Sequence, residues 1–409
     1  MDSVLMENKA LKIDKSNWEL TKVGDLAKDI SKRVDNPSES GYERFVGLNH
    51  FVSGDIKIKN WGPTKSLTSS TKAFEAGDIL FARRNAYLRR ASLVDFDGCC
   101  SGDAFVLREN HEKIVPGFLA FFMNSNSLWD YANSNAAGTM SKRVKWRDLA
   151  EYEILLPPKD QQVQLSKLLW AMDEVIEKEK EVLEKLNQSY STSINQFMIH
   201  GNYGIGGEII KTKCGLLDKR ISTIKLKDCL IEKPTYGANA SSKEYLDGDL
   251  RYIRITDIDD EGNLILEDRV TIDSLDFDQY LLSHNDFLFA RTGNTVGKTL
   301  LYNSEMEKSV FAGYLIRFRL NSEILNPNFL FYYTKSLKYE SFKRMMIKVG
   351  AQPNINSEEY QSMVLPCFKI EIQNELCEKL DFIKSNIDEC KDKIAASKSL
   401  QKSIINQVF

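Results

Sequence analysis

The chain has 409 residues, with 42% hydrophobic residues, 28% charged residues and a formal net charge of −3. This length allows two or three domains, and the slightly acidic balance excludes a uniformly basic protein that coats nucleic acid. Because no apolar run reaches about 18 residues and the N-terminus lacks an apolar signal-peptide core, we expect a cytoplasmic protein without a membrane-spanning segment.

The first predicted domain covers residues 1–156, where short β-branched and aromatic runs mix with turns and helical stretches such as 116–134, as in an α+β fold. Two of its segments carry clustered basic and polar residues, namely Arg83, Arg84, Asn85, Tyr87, Arg89, Arg90, Lys142, Arg143 and Lys145. Arginine and asparagine hydrogen-bond to base edges, and lysine contacts phosphates. The clusters therefore indicate DNA binding. For any single residue, solvated charge around a core is the alternative interpretation.

A long helix is predicted over residues 159–199, within the segment 157–200. Its apolar residues recur at spacings of three and four, no glycine or proline interrupts it, and charged residues fill the other positions. A narrow apolar stripe on a charged rod is typical of a coiled coil. The predicted packing and subunit-docking positions are Leu165, Leu169, Met172, Ile176 and Leu183.

Residues 201–218 are predicted as a linker with a glycine-rich turn, and residues 219–365 as a second α+β domain. In this domain strands are predicted at 250–258, 286–291 and 314–320, and one helix is predicted over 327–346. Its predicted DNA-binding residues are Tyr236, Ser241, Ser242, Arg291, Thr292, Asn294, Lys298, Lys348, Gln352 and Asn354.

The last segment, residues 366–409, is predicted as a second long helix with the apolar positions Leu376, Leu380, Ile383, Ile387 and Ile394. At about 1.5 Å per residue, each helix would span about 60 Å. Because both partners exist in one chain at equal length, we expect them to form an antiparallel coiled coil that joins the two domains with pseudo-twofold symmetry. A dimerisation coiled coil between two chains is the alternative.

Internal repetition supports this arrangement. Around a shared LFAR, Arg83 matches Arg291 at a shift of 208 residues, and CSGDAFVLR at 100–108 matches FAGYLIRFR at 311–319 at a shift of 211. Leu165 finds Leu376 at the same shift of 211, and Asn195-Gln196 recurs as Asn406-Gln407. We also pair LLPP at 155–158 with VLPC at 364–367. The pattern therefore indicates a duplicated domain–helix pair.

Catalytic chemistry is not indicated. The GKT of FARTGNTVGKTLLY resembles a phosphate-binding loop, but three residues separate Gly293 from Gly297-Lys298 where that motif needs four. The seven cysteines include no Cys-x-x-Cys pair, and the four histidines have no neighbour at metal-ligand spacing. We therefore expect a binding and scaffolding protein with no metal or cofactor of its own.

Four segments resemble the specificity (S) subunit of type I restriction–modification enzymes. The stretch from Leu156 to Leu186 is similar to that family's Leu-Pro-x-x-x-x-Gln-x-x-Ile helix start, and DFLFARTGNTVGK to its Asp-x-(Leu/Ile)-x-x-x-Arg-x-Gly-x-x-x-Gly-Lys segment. GAQPNIN, with its counterpart GTMSKRV, and LRYIRITDI resemble its Gly-x-x-x-x-Asn-Ile/Leu turn and its Trp/Tyr-Ile-x-x-x-Asp-Ile strand. The first copy departs from the pattern with an arginine-rich loop, and Cys367-Phe368-Lys369 departs from the Pro-x-x-x-x-Gln spacing.

The resemblance implies that each domain reads one half of a bipartite target in double-stranded DNA and that the helices set the spacer. It implies two methyltransferase subunits and further restriction/translocase subunits as partners, with S-adenosylmethionine, ATP and Mg on those partners. A related fused or stand-alone system is one alternative. A coiled-coil adaptor with two protein-binding domains is another, and an ATPase based on GNTVGK is a third.

Overall fold

The computed structural model describes residues 13–30, 32–138, 141–273, 278–347 and 352–409. The chain divides into two compact units. Unit 1 comprises the described part of Met1–Val182 with Cys390–Phe409, and unit 2 comprises that of Leu183–Glu389. Each unit thus holds one globular part and segments of both long helices. The domain boundaries predicted from the sequence stay predictions.

Unit 1 combines three sheets with helices. Its strands are β1 Glu19–Lys22, β2 Ala27–Asp29, β3 Arg33–Val34, β4 Arg44–Val46, β5 Gly62–Pro63, β6 Thr71–Phe74, β7 Ile79–Ala82, β8 Ala91–Leu93, β9 Gly98–Cys100, β10 Ala104–Glu109 and β11 Glu153–Leu156. They form sheets in the orders β2-β10-β7-β8, β3-β6-β9-β4-β5 and β1-β11. Its helices are α1 Val23–Leu26, α2 Leu119–Phe122, α3 Asn126–Ser134, α4 Trp146–Ala150 and the start of α5 Lys159–His200.

Unit 2 repeats the four-stranded sheet and the pair of first and last strands seen in unit 1. Its strands are β12 Ile209–Thr212, β13 Gly215–Asp218, β14 Ser222–Lys225, β15 Thr235–Tyr236, β16 Ser242–Glu244, β17 Arg251–Ile253, β18 Val270–Ile272, β19 Phe287–Ala290, β20 Thr299–Leu301, β21 Ser309–Phe311, β22 Leu315–Phe318 and β23 Val364–Cys367. The largest sheet has the order β15-β22-β19-β20, beside the pairs β14-β23, β16-β18, β17-β21 and β12-β13. Its helices are α6 Pro327–Tyr333, α7 Leu337–Met346, α8 Ser357–Gln361 and the start of α9 Ile370–Val408.

Strand registers confirm the duplication. In unit 1, β10 pairs antiparallel with β7 through Phe105 and Phe81, and in unit 2 β22 pairs with β19 through Ile316 and Phe289. The parallel pair β4–β9 has its counterpart in the parallel pair β17–β21. The predicted α+β class with two duplicated domains is therefore confirmed.

One predicted match between the repeats is wrong by two residues. In the antiparallel pair β1–β11, Lys22 lies opposite Glu153 and Glu19 opposite Leu156. In the pair β14–β23, Lys225 lies opposite Val364 and Ser222 opposite Cys367. Segment 153–156 therefore corresponds to 364–367, at the shift of 211, whereas LLPP at 155–158 does not. Pro157 consequently corresponds to Phe368.

The two long helices form as predicted, α5 with 42 residues and α9 with 39. In unit 1 the early part of α5 packs against the end of α9, since Leu169 shares a core with Ile405 and Val408. In unit 2 the end of α5 packs against the early part of α9, since Ile194 shares a core with Leu376. Within each unit the helices are therefore antiparallel, and they pair inside a single chain.

One glutamine fixes the start of each long helix to the domain that precedes it. The Gln162 carboxamide accepts from the Val115 N–H at 2.9 Å and donates to the carbonyls of Lys113 and Pro157. Gln373 makes the same three bonds, accepting from the Asn326 N–H at 2.9 Å. Phe368 replaces the proline, but the glutamine keeps its spacing and its function.

One asparagine fixes the end of each long helix to the domain of the unit in which that end lies. In unit 1, Asn406 Oδ1 accepts from the Asn126 N–H at 2.8 Å, at the start of α3. In unit 2, Asn195 Oδ1 accepts from the Leu337 N–H, also at 2.8 Å, at the start of α7. The Asn-Gln repeat seen in the sequence is therefore a pair of helix-terminus contacts.

Four local predictions differ from the structure. The strand expected over 250–258 is observed only at Arg251–Ile253, and the 3-10 turn Ile255–Asp257 follows it. The helices expected over 116–134 and 327–346 are each broken in two, because Ser125 and Ser336 cap a new helix start by accepting from the N–H groups of Leu128 and Tyr339. The segment 201–218 is more than a turn, since it contains the β12–β13 hairpin.

Candidate nucleic-acid interface

In unit 1 the two predicted basic segments lie side by side. The Val144 N–H donates to the Arg83 carbonyl at 2.9 Å, and the Asn85 N–H donates to the Lys142 carbonyl at 3.0 Å. An antiparallel bridge between Arg84 and Arg143 lies between these bonds. The loop that follows β7 and the segment that precedes α4 thus form one surface, although about 55 residues separate them in the chain.

The same backbone frame recurs in unit 2. The Ile355 N–H donates to the Arg291 carbonyl at 2.8 Å, and the Gly293 N–H donates to the Pro353 carbonyl at 3.0 Å. The bridge now joins Thr292 to Asn354. These positions match those of unit 1 at the shifts of 208 and 211, so two loops of different sequence share one backbone frame.

In unit 1 a carboxylate organises the arginines of this frame. Arg143 donates from Nε to Asp103 Oδ1 at 2.9 Å and from Nη2 to Oδ2 at 3.3 Å, and Arg84 Nη1 lies 3.6 Å from the same group. The hydrogen bond from Arg143 holds the pKa of Asp103 below its usual range, so the carboxylate is charged at neutral pH. Both guanidinium groups are therefore held in place at the surface.

Three other arginines of the first cluster are also engaged. Arg89 donates to Asn126 Oδ1 at 2.7 Å and to Asp130 at 2.8 Å, and Arg90 donates to the Leu48 carbonyl at 2.8 Å. The guanidinium of Arg83 lies 5.5 Å from the centre of the Phe105 ring. These side chains support the loop.

Of the remaining predicted DNA-binding residues of unit 1, three are exposed and one is partly buried. Tyr87 is 68% exposed, and Lys142 and Lys145 are also exposed, the latter at the N-cap of α4. Asn85 is partly buried and adopts the left-handed conformation at φ +55°, which asparagine tolerates better than most residues. An exposed tyrosine and two exposed lysines provide both stacking area and charge.

In unit 2 the frame carries no carboxylate at the position of Asp103. Tyr314 occupies it, 59% exposed, and its carbonyl accepts from the Arg291 N–H at 3.0 Å, as the Asp103 carbonyl does from Arg83. The Arg291 guanidinium lies 5.0 Å from the centre of the Tyr236 ring and contacts Asn354 Oδ1 at 3.4 Å. Arg291, Tyr236 and Asn354 therefore form one exposed aromatic and polar cluster.

Four other predicted DNA-binding residues of unit 2 are exposed. Asn294 and Gln352 are exposed, the former within the 3-10 turn Gly293–Thr295. Ser241 and Ser242 are exposed at the start of β16, which pairs with β18. Lys348 lies outside the described residues.

The GKT segment is built into the fold of unit 2. The Lys298 ammonium donates to the Ile258 carbonyl at 3.0 Å and lies 2.9 Å from Asp260. Thr299 is buried at the start of β20, 3.0 Å from the Thr334 hydroxyl, whereas a phosphate-binding loop continues into a helix. At Gly297, the backbone has φ +85°, a conformation that favours glycine, and a Cβ there would meet the side chain of Lys343. The glycine serves internal packing, and the lysine is engaged by the protein itself.

The predicted coiled-coil positions are all at least partly shielded from solvent. Five of them are buried, namely Leu169, Ile176, Leu376, Leu380 and Ile387. The other five are partly buried, namely Leu165, Met172, Leu183, Ile383 and Ile394. Because they pack inside the chain, the buried ones offer no surface to another subunit.

Sequence reasoning missed a second apolar stripe on α5. Leu168, Val175 and Val182 recur every seven residues and are 38%, 50% and 50% exposed. The spacing of seven was visible in the sequence, but it is offset by one position from Leu169 and Ile176 and merges with the core stripe. The equivalent positions on α9 are Lys379, Asn386 and Lys393 at the shift of 211.

Two negative observations apply to the described part of the chain. No helix there has the combination of length and apolar composition that crossing a membrane requires. No group of three or more histidine, cysteine or carboxylate side chains is arranged there to hold a metal ion.

The chain matches known proteins along nearly its whole length. A family model described as "Type I restriction modification DNA specificity domain" matches twice, at residues 15–188 and 221–396. The MjaVIII specificity subunit of Methanocaldococcus jannaschii is 22% identical over 416 residues, covering 95% of this chain and 91% of that protein. The EcoDI specificity subunit of Escherichia coli is 27% identical over 177 residues, 42% of this chain and 39% of that protein.

Solved structures share the fold. A chain of a type I R-M system, solved in work on complex assembly and conformational transition, matches with a TM-score of 0.58 and 21% identity over 96% of this chain and 97% of that one. The S subunit of the type I restriction–modification system from M. genitalium matches with a TM-score of 0.54 and 15% identity over 98% of both chains.

Proposed function

Because this chain belongs to the type I restriction modification DNA specificity family, with two copies of the family's domain, we propose that each domain reads one half of a bipartite DNA target. The repeated backbone frame supports this proposal most directly. One frame presents Arg84, Arg143 and Asp103 in unit 1, and the other presents Thr292, Asn354 and Tyr314 in unit 2. A constant frame with different side chains suits the reading of two different half-sites.

The side chains of each frame suit different parts of DNA recognition. In unit 2, Arg291 and Asn354 have the donor and acceptor geometry that pairs with guanine and adenine in the major groove. In unit 1, the ion pairs of Asp103 fix the planes of two guanidinium groups, which lowers the entropy lost on binding a base. The exposed Lys142 and Lys145 suit phosphates. The DNA contacts that we assign to individual residues remain proposals.

The second stripe of α5 is the surface that we assign to the partner subunits. Leu168, Val175 and Val182 repeat every seven residues on an exposed helix face, and they supply one of the two apolar positions per heptad that a contact with another helix uses. We propose that a methyltransferase subunit docks here. A second one would dock on unit 2 through other side chains, since the positions equivalent to the stripe are Lys379, Asn386 and Lys393. The helices would set the spacer between the half-sites.

In this proposal the chain supplies target selection and assembly and has no catalytic site of its own. The methyltransferase subunits would bind S-adenosylmethionine and modify adenine, and the restriction/translocase subunits would use ATP and Mg. Nothing in the geometry of the GKT segment favours an ATPase, because Lys298 and Thr299 are engaged within the protein.

Substitution of Arg291 tests the proposal. In the complex with the methyltransferase subunits, Arg291→Ala should relax base preference at one position of one half-site and leave the other half unchanged. Removal of one bidentate base pairing of this kind costs about 1–3 kcal/mol of discrimination. Sequencing that maps methylated adenines provides the measurement. Arg344→Ala, an exposed arginine on α7, is the control, and relaxation of both half-sites or of neither would contradict the proposal.

A further inference from the structure

A cavity of about 320 Å³ in unit 1 has an unusual charge. It lies between residue 53, the loop after β7 and the last turns of α9. Arg89, Lys398 and Lys402 line it, and none of its lining residues is a carboxylate, although the whole chain is acidic with a net charge of −3. Such a concentration of cations suits an anionic ligand.

The positive charge of the cavity is only partly balanced. Lys398 lies 2.9 Å from Asp55, but the same carboxylate is shared with Lys180 at 3.0 Å. Within the described part of the chain, no carboxylate lies in ion-pair range of Lys402, which is exposed. Arg89 is paired with Asp130 at 2.8 Å, and Lys180 is also paired with Glu177 at 2.9 Å. Among the described residues, Lys402 is therefore the one cation lining the cavity that has no counterion.

A buried donor adds a second, independent observation. Trp129 lines the cavity and is 1% exposed, and among the described residues its indole N–H has no hydrogen-bond acceptor. Its ring is fixed by stacking on Phe81 at 4.5 Å between centres. A buried donor without an acceptor is costly, and an oxyanion is the ligand that would satisfy both this donor and the cations.

We propose that this cavity binds the phosphate group of a phosphate ester. Phosphate oxygens accept charge-assisted hydrogen bonds from ammonium and guanidinium groups at once. The volume is at the lower end of that of small-molecule sites, so it holds a phosphate with its ester substituent. The ester is either a phosphodiester of bound DNA or a free mononucleotide, and both offer the same chemistry to the cavity.

The site occurs once per chain. At the shift of 211, the positions of Lys398, Lys402 and Trp129 correspond in unit 2 to Asn187, Ser191 and Glu340. Unit 2 therefore has neither lysine, and a carboxylate takes the place of the indole. The site is a property of unit 1 and not of the duplicated frame, so its stoichiometry is one ligand per chain.

Titration of the full chain with inorganic phosphate and with AMP, followed by calorimetry, tests the site. We expect saturable binding of AMP or phosphate at one equivalent, weakened at least tenfold in Lys402→Glu. Lys167→Glu changes another exposed lysine, on α5; it is the matched control and should bind like the wild type. Thermal unfolding of both variants checks that they are folded.

A second titration distinguishes the two sources of phosphate. A plot of the logarithm of duplex affinity against that of salt concentration becomes shallower by about 0.9 for each DNA phosphate that the protein no longer neutralises. If Lys402→Glu lowers this slope and Lys167→Glu does not, the phosphate belongs to DNA. If only AMP binding is weakened, it belongs to a free nucleotide. Unsaturable binding of both small probes together with an unchanged slope would overturn the proposal, whether or not the chain reads DNA elsewhere.

Discussion

At the scale of single residues, the two frames differ at three matched positions. Asp103 binds Arg143 and Arg84 in unit 1, and the corresponding residues of unit 2 are Tyr314, Asn354 and Thr292. The sequence repeat already aligned Asp103 with Tyr314. The ion pairs could not be predicted from it, because they join residues that come together only when the two segments form their shared frame.

Asp103→Asn removes the charge that fixes these two arginines. We expect affinity for non-specific duplex DNA to rise several-fold at low salt while discrimination between specific and non-specific duplexes falls, because the freed guanidinium groups bind phosphates. Competition binding with the two duplexes measures both. Asp95→Asn makes the same charge change at an exposed position of the same domain, and an equal effect of both substitutions would contradict the specific function of Asp103.

The lowered pKa of Asp103 gives the sign of a pH effect on stability. A carboxylate whose pKa is depressed on folding stabilises the protein above its unfolded pKa, about 3.9. That stabilisation disappears as the pH falls through the lower folded pKa. The difference in thermal midpoint between wild type and Asp103→Asn should therefore persist at pH 5 and vanish only in strong acid.

At the scale of elements, the long helices were the most predictable feature. A helix expected over 159–199 is observed at Lys159–His200, because sustained apolar spacing without glycine or proline leaves few alternatives. The orientation of its faces was less predictable. Leu168 and Val175 lie one position from Leu169 and Ile176 in the sequence, and only packing shows which set is buried. The breaks at Ser125 and Ser336 depend on caps that a helical pattern conceals.

The exposed stripe gives an element-scale prediction. Val175→Lys with Val182→Lys should reduce binding of the methyltransferase subunit at least tenfold, since two lysines replace apolar side chains on the proposed docking face. Each exposed substitution should change stability by only about 0.5 kcal/mol. Native mass spectrometry of the mixed subunits measures the binding. Leu20→Lys with Val52→Lys, also exposed apolar positions of unit 1, should bind normally, and equal weakening in both double variants would exclude the stripe.

At the scale of the whole molecule, duplication explains the architecture of both units. Each unit combines a domain with the start of one long helix and the end of the other. In unit 1 these are held by Gln162 and Asn406, and in unit 2 by Gln373 and Asn195. The shift of 211 residues could be predicted from the sequence. The three bonds of each glutamine could not, since the Val115 and Asn326 N–H donors and the Lys113 and Ile324 carbonyls come from loops with no recognisable motif.

Exchange of one domain tests the central claim, that the two domains read separate half-sites. Residues 219–365 are replaced by the corresponding segment of a relative with a different target, and the chain is co-expressed with methyltransferase subunits. Methylated adenines are then mapped by long-read sequencing. We expect that one half of the methylated motif changes while the other half and the spacer are retained. A change in both halves, or in neither, would contradict the claim.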